Sequence, residues 1–137
     1  MADAASSEAR AWLVKAWRDL ETARRAAAGT PPFYDTAVYH FQQAAEKAVK
    51  AFLVHHGKAY EKTHDIEVLI DSACELDRDF GKLADAADAL TPYATRFRYP
   101  NATFAVEPQP AEYHEAEQHA QTIYDFVLNK LPKESKP

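Results

Sequence analysis

Apolar residues recur at three-and-four spacing along most of the chain, the pattern of helices that each bury one stripe. Ala9, Leu13, Ala16, Trp17, Leu20 and Ala27 share such a stripe, which predicts a first helix over about 7–28, stopped by Gly29-Thr30-Pro31-Pro32. A second helix is predicted from about Tyr34 to His56, with Gly57 just past its end. The third begins after Thr63, whose hydroxyl is expected to cap it with Asp65 in the first turn, and its core stripe reads Ile66, Leu69, Ile70, Ala73 and Leu76. A fourth, from about Phe80, presents Phe80, Leu83, Ala87 and Leu90 and is interrupted at Thr91-Pro92. Arg98 to Pro110 holds three prolines and reads as a loop of about a dozen residues, a length that is often functional. The last helix, Pro110 to Leu131, is marked by Tyr113, Ala116, Ala120, Ile123, Tyr124, Val127, Leu128 and Leu131. No alternating strand pattern of useful length occurs. The pattern predicts an all-α fold over residues 1–137, an up-and-down antiparallel bundle of four to five helices, with 1–6 and 132–137 frayed.

Composition changes this picture in one respect. The 137 residues suit one domain, but 27 are Ala against 26 Leu, Ile, Val and Phe together, so the core must be built largely from small side chains. Ala9, Ala16, Ala23 and Ala27, Ala44, Ala45 and Ala48, and Ala116 and Ala120 would let helix backbones approach closely and recover dispersion contacts. The modest core also favours burial of further surface in a homodimer, with Trp12, Trp17 and Tyr39 as candidates for that second interface.

Charge and cysteine count exclude several classes of function. A pI near 5.6 argues against a general nucleic-acid binder, although residues 1–60, with 8 basic and 6 acidic side chains, leave room for local basic patches. A single cysteine, Cys74, excludes an intramolecular disulfide and a cysteine-based zinc site. No apolar run approaches the ~18 residues of a membrane span, and Met1 to Arg10 does not read as a secretory signal, so the cytoplasm is the expected location.

Three segments carry residues suited to chemistry. At 100° steps, Thr36, Tyr39, His40, Gln43, Glu46, Lys47, Lys50 and Val54 lie on one face of the second helix, opposite Val38, Phe41, Ala45, Ala48 and Phe52. Such a polar stripe could bind a phosphate and a base, or it could be a solvated face with a Glu46–Lys50 pair worth ~0.3–0.5 kcal/mol. Lys62-Thr63-His64-Asp65 enters the third helix, where free N–H groups attract anions, though the same residues also make an ordinary cap. Arg96-Phe97-Arg98-Tyr99-Pro100 interleaves guanidinium groups with aromatics, a composition that suits bidentate phosphate contacts and base stacking, or simply cations favoured at a helix end. Metal catalysis finds no support: Glu61-x-x-His64 has no second such motif, and His114 and His119 stand about 140° apart on a helix.

Taken in order, Trp12-Leu13-x-x-Ala16-x-x-Asp19-Leu20-x-x-Ala23, the run from Ala37 through Gln43, Glu46, Lys47 and Lys50 to Ala51, Lys62-Thr63-His64-Asp65 and Arg98-Tyr99-Pro100 resemble the HEPN family (higher eukaryotes and prokaryotes nucleotide-binding domain). The resemblance implies a small helical bundle that acts as a homodimer and binds a nucleotide or a protein partner, a minimal nucleotidyltransferase in a toxin–antitoxin type system. It implies no cofactor beyond a nucleotide ligand. Gln43, Lys47, Lys50, His64, Arg96, Arg98 and Tyr99 are the candidate nucleotide-binding residues. Ribonuclease members of the wider superfamily carry Arg, four to six residues, then His, and none of the seven Arg here is followed by His at that spacing. No catalytic residue is therefore assigned. The alternatives are an RNase toxin with a rearranged Arg/His pair across the dimer, such as Arg98 with His64, and a non-catalytic interaction scaffold.

Overall fold

The structure is a computed structural model that describes residues 3–60, 62–100 and 107–137. All its regular elements are helical: α1 (Ala4–Ala28), α2 (Tyr34–His55), α3 (Ile66–Cys74), α4 (Ala84–Leu90) and α5 (Pro110–Lys130), with short 3-10 turns at Arg78–Leu83, Thr91–Ala94 and Lys133–Ser135. The expected loop from Arg98 to Pro110 lies in part outside the described residues, at 101–106.

Local chemistry sets the ends. The Asp3 carboxylate accepts the Ser6 N–H at 2.7 Å, which starts α1 at Ala4 rather than near residue 7. At the end of α2, Gly57 adopts φ +67°, and Lys58 N–H reaches Leu53 O at 2.9 Å while Gly57 N–H reaches Val54 O at 3.0 Å. This paired closure satisfies carbonyls that the last turn of α2 leaves open. For α3 the cap is Asp65, which accepts the Glu67 N–H at 2.9 Å, not Thr63, whose hydroxyl instead accepts the Asp65 N–H at 3.0 Å. Because α3 ends at Cys74, Leu76 falls off the expected core stripe and is 44% exposed. The fourth helix is shorter than expected, its first turns being 3-10, and Pro92 prevents α4 from continuing. At α5, the Glu112 side chain accepts the Gln109 N–H at 3.0 Å.

The tail after α5 continues as the 3-10 turn Lys133–Ser135. Ser135 is fully buried and Arg10 Nε donates to the Lys136 carbonyl at 3.3 Å.

α2 is the central helix, with 14 of its 22 residues buried. α1 lies antiparallel to it, since Asp19 meets Lys47 and Trp12 meets Lys50. α5 runs with α2 and against α1: Tyr113 packs on Phe41 and Ser135 approaches His55, while Arg24 reaches Glu117. The alanines concentrate where they were expected, with Ala9, Ala16 and Ala23 of α1 and Ala44, Ala45 and Ala48 of α2 fully buried; Ala27 is half-buried. Far from the α2 N-terminus, Phe80 closes the core against Phe52 at 4.3 Å and Phe126 at 5.0 Å. Among the described residues no helix is long and apolar enough to cross a membrane.

Two glycines separate backbone strain from packing. Gly57→Ala forces a side chain into the left-handed region and is expected to cost about 1–2 kcal/mol in urea unfolding. Gly81→Ala adds a Cβ that meets nothing within 4 Å inside a 3-10 turn and is expected to gain about 0.5 kcal/mol.

Candidate functional site

Asp19 sits on the same stripe of α1 as Ala16, Leu20 and Ala23, so the helix carries its carboxylate into the seam with α2, where the side chain is 11% exposed. A carboxylate removed from water needs charge-assisted donors, and α2 supplies two. Lys47 Nζ donates to Oδ2 at 2.6 Å and His40 Nδ1 lies 2.9 Å from Oδ1. Burial alone would raise the Asp19 pKa; hydrogen bonds from His40 and Lys47, with their charge, outweigh it and hold the group below the usual carboxylate range. Facing an ionised carboxylate, His40 Nδ1 carries the proton, which leaves Nε2 as the ring nitrogen available to a ligand.

Further along α2, Glu46 repeats the arrangement at greater depth, with its side chain 4% exposed. Lys50 Nζ donates to Oε2 at 3.1 Å, and His64 Nδ1 lies 2.9 Å from Oε1. The Lys50 ammonium also sits 5.6 Å from the Trp12 ring centre and 5.3 Å from that of Tyr60, two rings that meet edge to face. Gln42, fully buried, donates to the His64 carbonyl at 2.9 Å and accepts from Gln43 at 2.7 Å. His64 is thereby drawn back along α2, and α3 starts beside its middle.

A cavity of about 250 Å³ opens beside the Asp19 cluster, lined among the described residues by Asp35, Thr36, Tyr39, His40, Phe97 and Arg98. The Arg98 guanidinium lies 3.7 Å from the Tyr39 ring centre, a stacking distance that leaves its edge donors for a doubly charged partner such as phosphate. Asp35 accepts the Thr36 N–H at 2.7 Å, at the first turn of α2. The cavity therefore offers a guanidinium, an imidazole oriented by a buried carboxylate, and one carboxylate. Among the described residues no group of three or more His, Cys, Asp or Glu could hold a metal ion.

The candidate residues read from the sequence divide between these places. Arg98 lines the cavity, and Lys47 stands behind His40 through the shared Asp19. Gln43 and Lys50 are buried, so the polar stripe of α2 is neither a solvated face nor an open binding face along its whole length. His64, 69% exposed, is tied to Glu46 and does not line this cavity, where the imidazole beside Arg98 of the same chain is His40. Arg96 lies 3.9 Å from Glu112 and over Phe97, outside the lining, whereas Tyr99 is 67% exposed directly after Arg98. Asp19 was missed as a site residue, and a signal existed: it is a carboxylate on a stripe of Ala and Leu, where only a paired charge is tolerated.

Comparison with known proteins agrees with this architecture. The HEPN domain family matches residues 9–131. An archaeal HEPN homologue, ST0689, has a crystal structure that superposes with a TM-score of 0.71 at 28% identity, covering 89% of this chain and 96% of that one. The crystal structure of TT1696 from Thermus thermophilus superposes with a TM-score of 0.72 at 32% identity, covering 91% of this chain and 99% of that one. No curated protein matches the chain at a significant level.

Asp19→Asn removes the charge that Lys47 and His40 surround and is expected to cost about 1–3 kcal/mol at neutral pH. Because the Asp19 pKa is lowered by folding, its contribution is complete above pH ~4 and is lost as the pH falls through the folded-state value. Urea unfolding between neutral pH and pH ~3 should therefore show the cost of Asp19→Asn shrinking towards the acid end. A cost independent of pH would remove the ion pair from the account.

Proposed function

The chain belongs to the HEPN domain family, and on that premise we propose that it is a nucleotide-binding module whose ligand phosphate is held by Arg98 and His40. The observation that carries the reading is the shared cavity: the segment before residue 101 folds over the first turns of α2 and brings a guanidinium beside an imidazole already oriented by Asp19. In this reading Tyr99 stacks on the base, while Arg96 stays outside the lining, near Glu112. Lys47 keeps Asp19 charged behind the ligand, while Gln43, Lys50 and His64 hold the adjoining cluster. The module works in the cytoplasm as a homodimer and partners a minimal nucleotidyltransferase in a toxin–antitoxin type system. Family membership supports the pairing, and Trp17, 48% exposed on α1, supports a second interface.

A second reading, cleavage of RNA, is favoured by the Asp19–His40 pair in the same cavity as Arg98. There His40 would move the proton of a ribose hydroxyl and Arg98 would stabilise phosphate charge. The rearranged pair is Arg98 with His40, without the Arg-x4-6-His spacing.

Calorimetric titration with adenosine and guanosine mono-, di- and triphosphates should give saturable binding that Arg98→Ala weakens about 10- to 100-fold, the worth of a charged hydrogen-bonded contact. Absence of binding by all six nucleotides would remove the reading. Sedimentation should give a dimer at micromolar concentration; a stably folded monomer would remove the homodimer. For the second reading, RNA left intact by high protein concentration over hours, with nucleotide binding preserved, excludes cleavage.

A further inference from the structure

We propose that the Arg98–His40 cavity selects nucleoside monophosphates over triphosphates, with Asp35 as the residue that sets the preference; this rests on the nucleotide-binding reading and narrows it to one ligand class. The charges on the lining decide it. Among the described lining residues Arg98 is the one permanent cation, His40 is an imidazole engaged with Asp19, and Asp35 is a carboxylate. Lys47, an ammonium two turns further along α2, is committed to Asp19 at 2.6 Å and its charge is balanced there.

The positive end of α2 does not alter this count. An anion is attracted to a helix N-terminus by the free N–H groups and the dipole. Here Asp35 already occupies that position, its Oδ1 taking the Thr36 N–H at 2.7 Å. A ligand phosphate is therefore met by the fork of one guanidinium, stacked on Tyr39 at 3.7 Å, and by His40 Nε2 when the ring is protonated at both nitrogens, the form in which that nitrogen donates. One phosphate satisfies that set of donors. Each further phosphate adds at least one negative charge with no cation of the described lining to receive it and with Asp35 in the wall.

The Asp35 carboxylate then has a positive role as well, as an acceptor for a ribose hydroxyl, a group that pairs well with a carboxylate.

The test is calorimetric titration of the full chain with AMP, ATP and adenosine at fixed ionic strength without divalent cations, on wild type, Asp35→Asn and Arg98→Ala. Asn keeps the acceptor for the Thr36 N–H and loses the charge, so the fold is retained. AMP is expected to bind at least about tenfold tighter than ATP and adenosine, and Asp35→Asn to bring ATP within about threefold of AMP. ATP binding as tight as AMP, with both weakened by Arg98→Ala, would overturn the selectivity and leave the nucleotide-binding reading standing. A preference for AMP that Asp35→Asn does not change would overturn the role of Asp35, and one that Arg98→Ala does not weaken would place the selective site elsewhere. Binding of none of the three, with the guanosine nucleotides failing as well, would remove the nucleotide reading itself.

Discussion

A carboxylate taken out of water must be surrounded by donors, and the burial of Asp19 and Glu46 along the α1–α2 seam imposes that requirement on most of the molecule. For Asp19 the donors are His40 and Lys47, two positions on one face of α2, which fixes the rotation of both helices. For Glu46 the donors are Lys50 and Gln42 on the same helix and His64, which lies beyond the helix and can reach only if the chain doubles back. The path into α3 is therefore set by a buried charge. Such pairs add little net stability compared with apolar packing, but a misaligned seam would leave an unmatched charge, so they discriminate strongly against alternative registers.

Alanine is what makes that seam possible. Asp19 of one helix meets Lys47 and His40 of the next on a seam where buried alanines alternate with Leu13 and Leu20. Ala16 and Ala23 flank Asp19 on the stripe of α1, and Ala44, Ala45 and Ala48 stand among the polar residues of α2. The small side chains that first suggested a weak core permit the backbones to come close enough for charged groups to pair directly. Large aromatic residues pack at both ends of α2, Phe41 with Tyr113 near its N-terminus and Phe52 with Phe80 and Phe126 towards its C-terminus.

The helices were legible to the extent that one stripe of each faces the core. α1, α2 and α5 have long periodic patterns, and their ends fell within a few residues of those expected. The errors lie where a local hydrogen bond competes with the pattern: Asp3 and Asp65 move caps, and Pro92 and the 3-10 turns shorten the fourth helix. The polar face of α2 was misjudged for a different reason. Periodicity identifies which residues share a face but not how many neighbours the helix has, and a central helix buries its polar face too. Arg98 and Lys47 could be singled out from chemistry along the chain. That His40 would be the partner of Arg98 could not, since it depends on how the segment before residue 101 closes over α2.

The two carboxylate clusters look alike in their parts but differ in what they can do. Glu46 is enclosed: its lysine is covered by Trp12 and Tyr60, and its histidine, although exposed, serves to fasten the chain that leads into α3. Both donors there are already used for structure. At Asp19 the lysine balances the charge, and the histidine is held by one nitrogen while its ring lines a cavity that also receives Arg98. The asymmetry arises from what covers each cluster, aromatic rings in one case and an arginine-bearing segment in the other. A buried ion pair of this kind orients an imidazole through groups already locked by packing, so the feature that fixes the register of the bundle also prepares the histidine that faces the cavity to meet a ligand.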